Sequence, residues 1–307
     1  ERSADRPDLT PRLPPDQWFP AGRADISARR VMLAGGLGLR VLEAGPPDGP
    51  PLLLLHGWAI SAYLWRHNFA ALAGAGYRVH APDLPGHGLS DAPLAKGSYT
   101  LEASTDDLGA LLDALELERA AVVAQSMGGR IALELARRHR VTRLALFGPV
   151  GFGEVSQARE IAAFLPKIPG ALAAMLVPRE IVEIVQRRVY GKIGWFTDRD
   201  VDEYWAPTQF PAVVQATVQM LREFDWELVA PETLAGITTP TLVVFGTLDG
   251  TVRPANVEQL VKALPHGRLE WIEGGGHVVM EEGPDRVNEL LLEFLQGSHD
   301  VPTANGR

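Results

Sequence analysis

The chain has 307 residues, no cysteine, and 29 basic against 38 acidic side chains, a formal net charge of −9. The absence of cysteine excludes disulfides, thiolate nucleophiles and Cys-ligated zinc or iron–sulfur sites, and an acidic chain without a Lys/Arg-rich block is a poor partner for nucleic acid. Hydrophobic residues make up 46% and charged residues 22% of the sequence, the balance of a soluble globular protein, and no apolar run reaches the roughly 20 residues that cross a bilayer.

The first 28 residues carry Pro7, Pro11, Pro14, Pro15 and Pro20 among many charges. They read as an extended arm, with Trp18 and Phe19 available to pin it to the main body. From about Arg29 the pattern changes. Val31–Leu33 and Leu37–Glu43, joined by Ala34-Gly35-Gly36, predict a β-hairpin. Leu52–Leu55, Tyr77–His80, Ala120–Ala124, Leu144–Phe147, Thr241–Phe245 and Leu269–Ile272 are short continuous apolar runs, the form of strands buried on both faces of a parallel sheet. Helical periodicity fills the intervals at about Tyr63–Ala73, Leu101–Leu117, Gly129–His139, Asn256–Leu264 and Asp285–Leu295. The order predicts an α/β fold: a mostly parallel sheet with helices on both faces.

The alternation breaks from about Val150 to Thr239, where almost everything reads as helix and prolines punctuate it. Residues 29–150 and 231–297 therefore form the core, 151–230 a helical insertion between core strands, and 298–307 a flexible tail. The insertion carries Phe152, Phe164, Met175, Trp195, Phe196, Tyr204, Trp205, Phe210, Phe224 and Trp226. Most of these side chains are expected to pack the insertion, and a minority to face a pocket.

The most informative run is Ala120-Ala-Val-Val-Ala124-Gln-Ser126-Met-Gly128-Gly. A buried strand runs into Ser126 and a helix follows at once. So sharp a turn needs small residues two before and two after the serine, here Ala124 and Gly128. The same pattern, taken alone, also describes a serine that merely caps a helix. A serine hydroxyl becomes a nucleophile only if a base removes its proton and an acid orients that base. Both partners should lie after other core strands, on the edge where an open α/β sheet presents its ligands. Asp249 follows Thr241–Phe245, and His277 follows Leu269–Ile272 in the glycine-rich Glu273-Gly-Gly-Gly-His277. Individually, Asp249 reads more readily as a turn residue and His277 as a surface or structural histidine; the set of three at strand ends points to catalysis. His56-Gly57-Trp58, after Leu52–Leu55, can turn a backbone N–H toward the serine, so the amides of Trp58 and Met127 are the candidate oxyanion hole. His56 is expected to serve a structural hydrogen bond, with Gly57 and Gly128 as supporting positions. Asp83-Leu-Pro-Gly86-His87-Gly88-Leu-Ser90 lacks the lysine of a phosphate loop and reads as a structural turn.

These motifs resemble the α/β-hydrolase superfamily across about Arg29 to Gln296. The matching residues are His56-Gly57, Asp83-x-x-Gly86-x-Gly88-x-Ser90, Ala124-x-Ser126-x-Gly128, Asp249 and Gly276-His277. The resemblance implies an eight-stranded core sheet with a helical cap or lid, and a serine esterase or lipase-like hydrolase that needs no metal or organic cofactor. Epoxide hydrolases and haloalkane dehalogenases look similar but place Asp at the elbow. Carbon–carbon bond hydrolases usually carry Pro-Gly in the oxyanion loop and Trp after the histidine, where this chain has Ala59-Ile60-Ser61 and Val278.

The expected activity is cleavage of a small to medium, largely apolar acyl or aryl ester through an acyl-enzyme. The alternatives are lactone or carbon–carbon cleavage, perhydrolysis or acyl transfer on the same residues, and, from another class, a ligand receptor with slow turnover. The expected partner is that small-molecule ester alone, with neither nucleic acid nor stable membrane insertion. The cysteine-free composition fits the cytoplasm and is compatible with export, since the chain starts at Glu1 rather than Met.

Overall fold

A computed structural model describes residues 13–155, 177–254 and 257–297. Its centre is an eight-stranded sheet built from β1 (Ser27–Met32), β2 (Gly38–Ala44), β3 (Pro51–Leu55), β4 (Arg78–Pro82), β5 (Ala120–Gln125), β6 (Val141–Phe147), β8 (Thr241–Gly246) and β10 (Gly267–Ile272). Their order across the sheet is β1-β2-β4-β3-β5-β6-β8-β10. β1, β2 and β4 pair antiparallel, and every pairing from β4 through β10 is parallel. Five of the six apolar runs are inner strands, and β5 and β8 are buried at every position, because side chains of both parities meet helices. The sixth, Leu269–Ile272, corrects the expectation: it belongs to β10 at the edge of the sheet, where Leu269 and Glu270 are half-buried and Trp271 is exposed, because no strand pairs beyond it.

One face is packed by Leu101–Ala114 and Met127–Arg137, whose Leu108, Leu111, Leu112, Ile131 and Leu135 meet Leu53, Leu55, Val122 and Ala124. The other is covered by Phe69–Gly74 and Pro284–Gln296, with Phe69, Leu72, Leu290 and Phe294 against Leu52, Leu54, Val123 and Val244. Alternate residues of one strand thus feed two separate cores, the physical meaning of a continuous apolar run at a side-chain period of two.

Two further expectations are refined. The helix predicted over Tyr63–Ala73 splits into a 3-10 turn, Ala62–Trp65, and the helix Phe69–Gly74. The Asp83 carboxylate accepts the Ala62 N–H at 2.8 Å and the Arg66 N–H bonds to the Tyr63 carbonyl at 3.0 Å, which ties off the first turn. The insertion is not purely helical: β7 (Gly153–Val155) pairs antiparallel with β9 (Val252–Pro254), three-residue strands too short to leave a periodic signal. Beyond them the described part of 151–230 holds the helices Arg179–Val189, Asp198–Trp205, Pro211–Glu223 and the turn Ala206–Gln209. Phe164 and Met175 lie outside the described residues, as do positions 1–12 of the arm, Asn256 and the tail 298–307.

The arm is pinned as its aromatic residues suggest. Trp18 packs edge-on against Phe210, with 5.9 Å between centroids, and Phe19 lies 5.5 Å from Tyr63. The Phe19 N–H also donates to Glu203 at 2.8 Å, so the arm ties to 198–210 as well as to the core.

Candidate active site

Ser126 stands between β5 and the helix Met127–Arg137 with φ 52° and ψ −118°. This is left-handed territory that L residues avoid, and it is kept because the turn is over-determined. Ser126 N–H bonds to the Phe147 carbonyl at 2.9 Å, and Val150 N–H bonds back to the Ser126 carbonyl at 3.1 Å. A Cβ at Gly128 would lie 2.5 Å from the His56 carbonyl oxygen, so the small residue two after the serine is a steric requirement of the close strand contact. The hydroxyl makes no capping bond to the helix, which removes the structural role that the sequence alone left open.

Asp249 follows β8 and His277 follows β10, and the structure brings them together: His277 Nδ1 lies 2.7 Å from Asp249 Oδ2. The other carboxylate oxygen accepts the Thr251 and Val252 N–H groups at 2.9 and 3.0 Å. A carboxylate oxygen only accepts, so the contact with Oδ2 fixes the proton on Nδ1 and leaves Nε2 with a lone pair. The histidine main chain is held at both ends. Its N–H donates to the Val189 carbonyl at 2.7 Å, and its carbonyl accepts from Gln125 Nε2 at 3.3 Å.

Gly148 joins the two halves of the site. It lies between Phe147 and Val150, which hold the serine backbone, and a Cβ there would stand 2.8 Å from Asp249 Oδ2 and 3.0 Å from His277 Nδ1. Ser126, Asp249 and His277 are only 7%, 6% and 6% exposed, a water-poor setting in which charge interactions strengthen.

The candidate oxyanion donors are the Trp58 and Met127 amides. Among the described residues, neither the Trp58 nor the Met127 amide donates to a protein acceptor. The loop that carries Trp58 is set by two neutral imidazoles in edge-on contact, 4.9 Å apart. His56 contacts the Gly57 carbonyl through Nδ1 at 2.7 Å and accepts the Leu84 N–H on Nε2 at 2.9 Å. His87 does the same with the Pro85 carbonyl at 3.0 Å and the Ala59 N–H at 3.1 Å. His56 thus makes two hydrogen bonds to the backbone. His87, unremarked in a turn read as structural, holds Ala59 at its φ of 60°. The turn is anchored by Asp83, which accepts from the Ala62 and Leu89 amides and pairs with Arg40 at 3.1 Å.

Burial pushes both imidazoles down, with His87 lowered to about 3, the neighbouring His56 adding to the effect. An unfolded histidine takes its proton near pH 6.5, so between that pH and about 3 the unfolded chain binds a proton that the folded chain refuses. Stability therefore falls as pH drops through this window, by about 1–2 kcal/mol for His87 between pH 7 and 5. His87→Gln should shrink that loss by a comparable amount in urea unfolding at the two pH values. An identical loss in the variant would show that His87 is not its source.

The fold is that of the α/β hydrolases. The sequence profile of the alpha/beta hydrolase fold family matches residues 50–284, and the chain belongs to that family. It is similar to the magnesium-chelatase 30 kDa subunit of Rhodobacter capsulatus, 33% identical with 94% of this chain and 100% of that protein covered. It is also similar to epoxide hydrolase A of Mycobacterium tuberculosis, 28% identical over 87% of this chain and 97% of that one. Among solved structures, a loop variant of the haloalkane dehalogenase DbeA from Bradyrhizobium elkanii superposes with a TM-score of 0.74 at 26% identity, covering 89% and 98% of the two chains.

Proposed function

We propose that the protein is a serine hydrolase of carboxylic esters. The observation that carries the reading is the 2.7 Å contact of His277 Nδ1 with Asp249 Oδ2, on the same strand ends as the strained Ser126. Ser126 Oγ attacks the acyl carbonyl carbon while His277 Nε2 takes its proton. The Asp249 carboxylate stabilises the imidazolium, and the Trp58 and Met127 amides receive the oxyanion, each worth on the order of 3 kcal/mol in the barrier. The tetrahedral intermediate collapses, the C–O bond to the alcohol breaks, and His277 returns the proton to the leaving oxygen. Water then repeats the sequence on the acyl-enzyme, releasing the acid and restoring the serine.

Similarity to epoxide hydrolases and a dehalogenase does not carry their chemistry to this chain. An alkyl carbon attacked by Ser126 would end as an ether, which an imidazole-activated water does not hydrolyse, whereas a serine ester is cleaved by the same machinery that made it. The insertion serves as a lid over an apolar pocket. Its Ala216 and Met220 pack with Leu84 and Met127 in one cluster, and the Trp58 indole N–H donates to the Thr217 carbonyl at 3.0 Å. Small to medium apolar acyl or aryl esters fit that lining. The full-length likeness to a chelatase subunit supports a second reading, in which the chain acts as an accessory component of a magnesium chelatase.

A panel of p-nitrophenyl esters and lactones, run beside fluorophosphonate labelling, tests both readings. Multiple turnovers with the label on Ser126 are expected, with neutral acyl groups preferred over anionic ones. Absence of both turnover and label would overturn the hydrolase reading and favour the accessory one.

A further inference from the structure

The loop that carries His277 lies backbone against backbone on the segment that leaves the helix Arg179–Val189. Lys192 N–H donates to the Gly274 carbonyl at 2.7 Å, and His277 N–H donates to the Val189 carbonyl at 2.7 Å. No side chain fits between the two strands of this contact. A Cβ at Gly276 would lie 2.3 Å from the Val189 oxygen and 2.4 Å from the Gly191 nitrogen. At its centre two donors, the amides of Gly191 and Gly276, come together with no backbone carbonyl between them.

Glu282 fills that gap. One carboxylate oxygen accepts from Gly276 N–H at 2.8 Å and the other from Gly191 N–H at 2.7 Å, and the side chain is buried. A buried N–H left without an acceptor is strongly unfavourable, so the carboxylate is what allows the two backbones to approach. The neighbouring Glu281 points elsewhere, to Arg66, Tyr190 and Tyr204. Glu282 therefore acts on the residue preceding His277, and Glu281 on the buried ion network behind it.

We propose that Glu282 is a positioning residue for His277, holding the imidazole in register with Asp249 and Ser126 by clasping the Gly276 and Gly191 amides. The assignment rests on the ester-hydrolase reading for its kinetic consequence, but its geometry can be tested without it. Glu282→Gln is nearly isosteric, yet it puts an NH2 group against one of the two N–H donors. In Glu282→Gln, kcat and the rate of fluorophosphonate labelling should each fall at least tenfold. KM should stay within about twofold, because the pocket lining is untouched. Glu282→Asp keeps the charge but shortens the reach, and should fall between the two proteins.

Proton NMR supplies a readout that needs no turnover. The low-field Nδ1–H resonance of His277 should be present in the wild type and lost or exchange-broadened in Glu282→Gln. Unchanged labelling rate and resonance in a folded Glu282→Gln protein would overturn the proposal. So would a rise in KM with kcat preserved, which would make the clasp a determinant of pocket shape. Failure of both variants to fold would overturn it too, by assigning the carboxylate to folding. If the wild type neither turns over nor labels, the ester reading falls, and the resonance alone decides the role of Glu282.

Discussion

Ser126→Ala is expected to abolish ester turnover and fluorophosphonate labelling, lowering kcat on the order of a million-fold. The expected loss is large because, in the proposed mechanism, Oγ is the atom that forms the acyl-enzyme. What survives is binding and oxyanion stabilisation by amides that the substitution leaves in place, enough for slow attack by water. Stability should barely change, with urea midpoints within about 0.5 kcal/mol of the wild type, the range of substitutions that touch no structural feature. The hydroxyl makes no capping bond, and alanine retains the Cβ responsible for the strain at φ 52°. Wild-type kinetics in a folded Ser126→Ala protein would sink the nucleophile assignment.

The second large effect is expected at Asp249, where asparagine should lower kcat by about ten-thousand-fold. Oδ1 is committed to the Thr251 and Val252 amides at 2.9 and 3.0 Å, so an asparagine must place its carbonyl oxygen there. Its NH2 group then faces His277 Nδ1, which becomes the acceptor, and the ring proton moves to Nε2. That tautomer has no lone pair for the serine proton. The fold should be retained, and KM should change far less than kcat. A pH–rate profile checks the cause: activity should recover in part at alkaline pH, where hydroxide can replace the missing base. A loss of less than tenfold would show that Asp249 does not set the tautomer.

Much of this site is legible in the chain because its parts are short-range. The elbow around Ser126 is a local steric pattern, small residues either side of a strand-to-helix turn. Asp249 follows a buried strand and His277 the half-exposed edge strand β10, and the parallel pairing of the two places both residues on one edge of the sheet. Residues that support the site through space leave no such trace. Gly148 looks like a loop glycine until β6 is laid between β5 and β8. His87 is one polar residue in a turn, and its contact with Ala59 joins segments 28 residues apart. Glu282 is one of two adjacent glutamates, and nothing local tells which one reaches the histidine loop; side-chain direction on the turn Val279–Glu282 decides it.

From the sequence alone follow the α/β class, the strand order along the chain, the exclusion of cysteine chemistry and the three residues proposed for catalysis. Each depends on periodicity or on residue type next to an element end, and these are local properties. The tertiary structure alone decided that Ser126 does not cap its helix and that Asp249 directs Oδ2 to His277. It also showed that His56 and His87 hold the loop of Trp58 and Ala59 and that Glu282 closes the gap between Gly191 and Gly276. Those are relations among backbone groups far apart in the chain, determined by which unpaired donors meet which acceptors once the sheet has brought its loops to one edge.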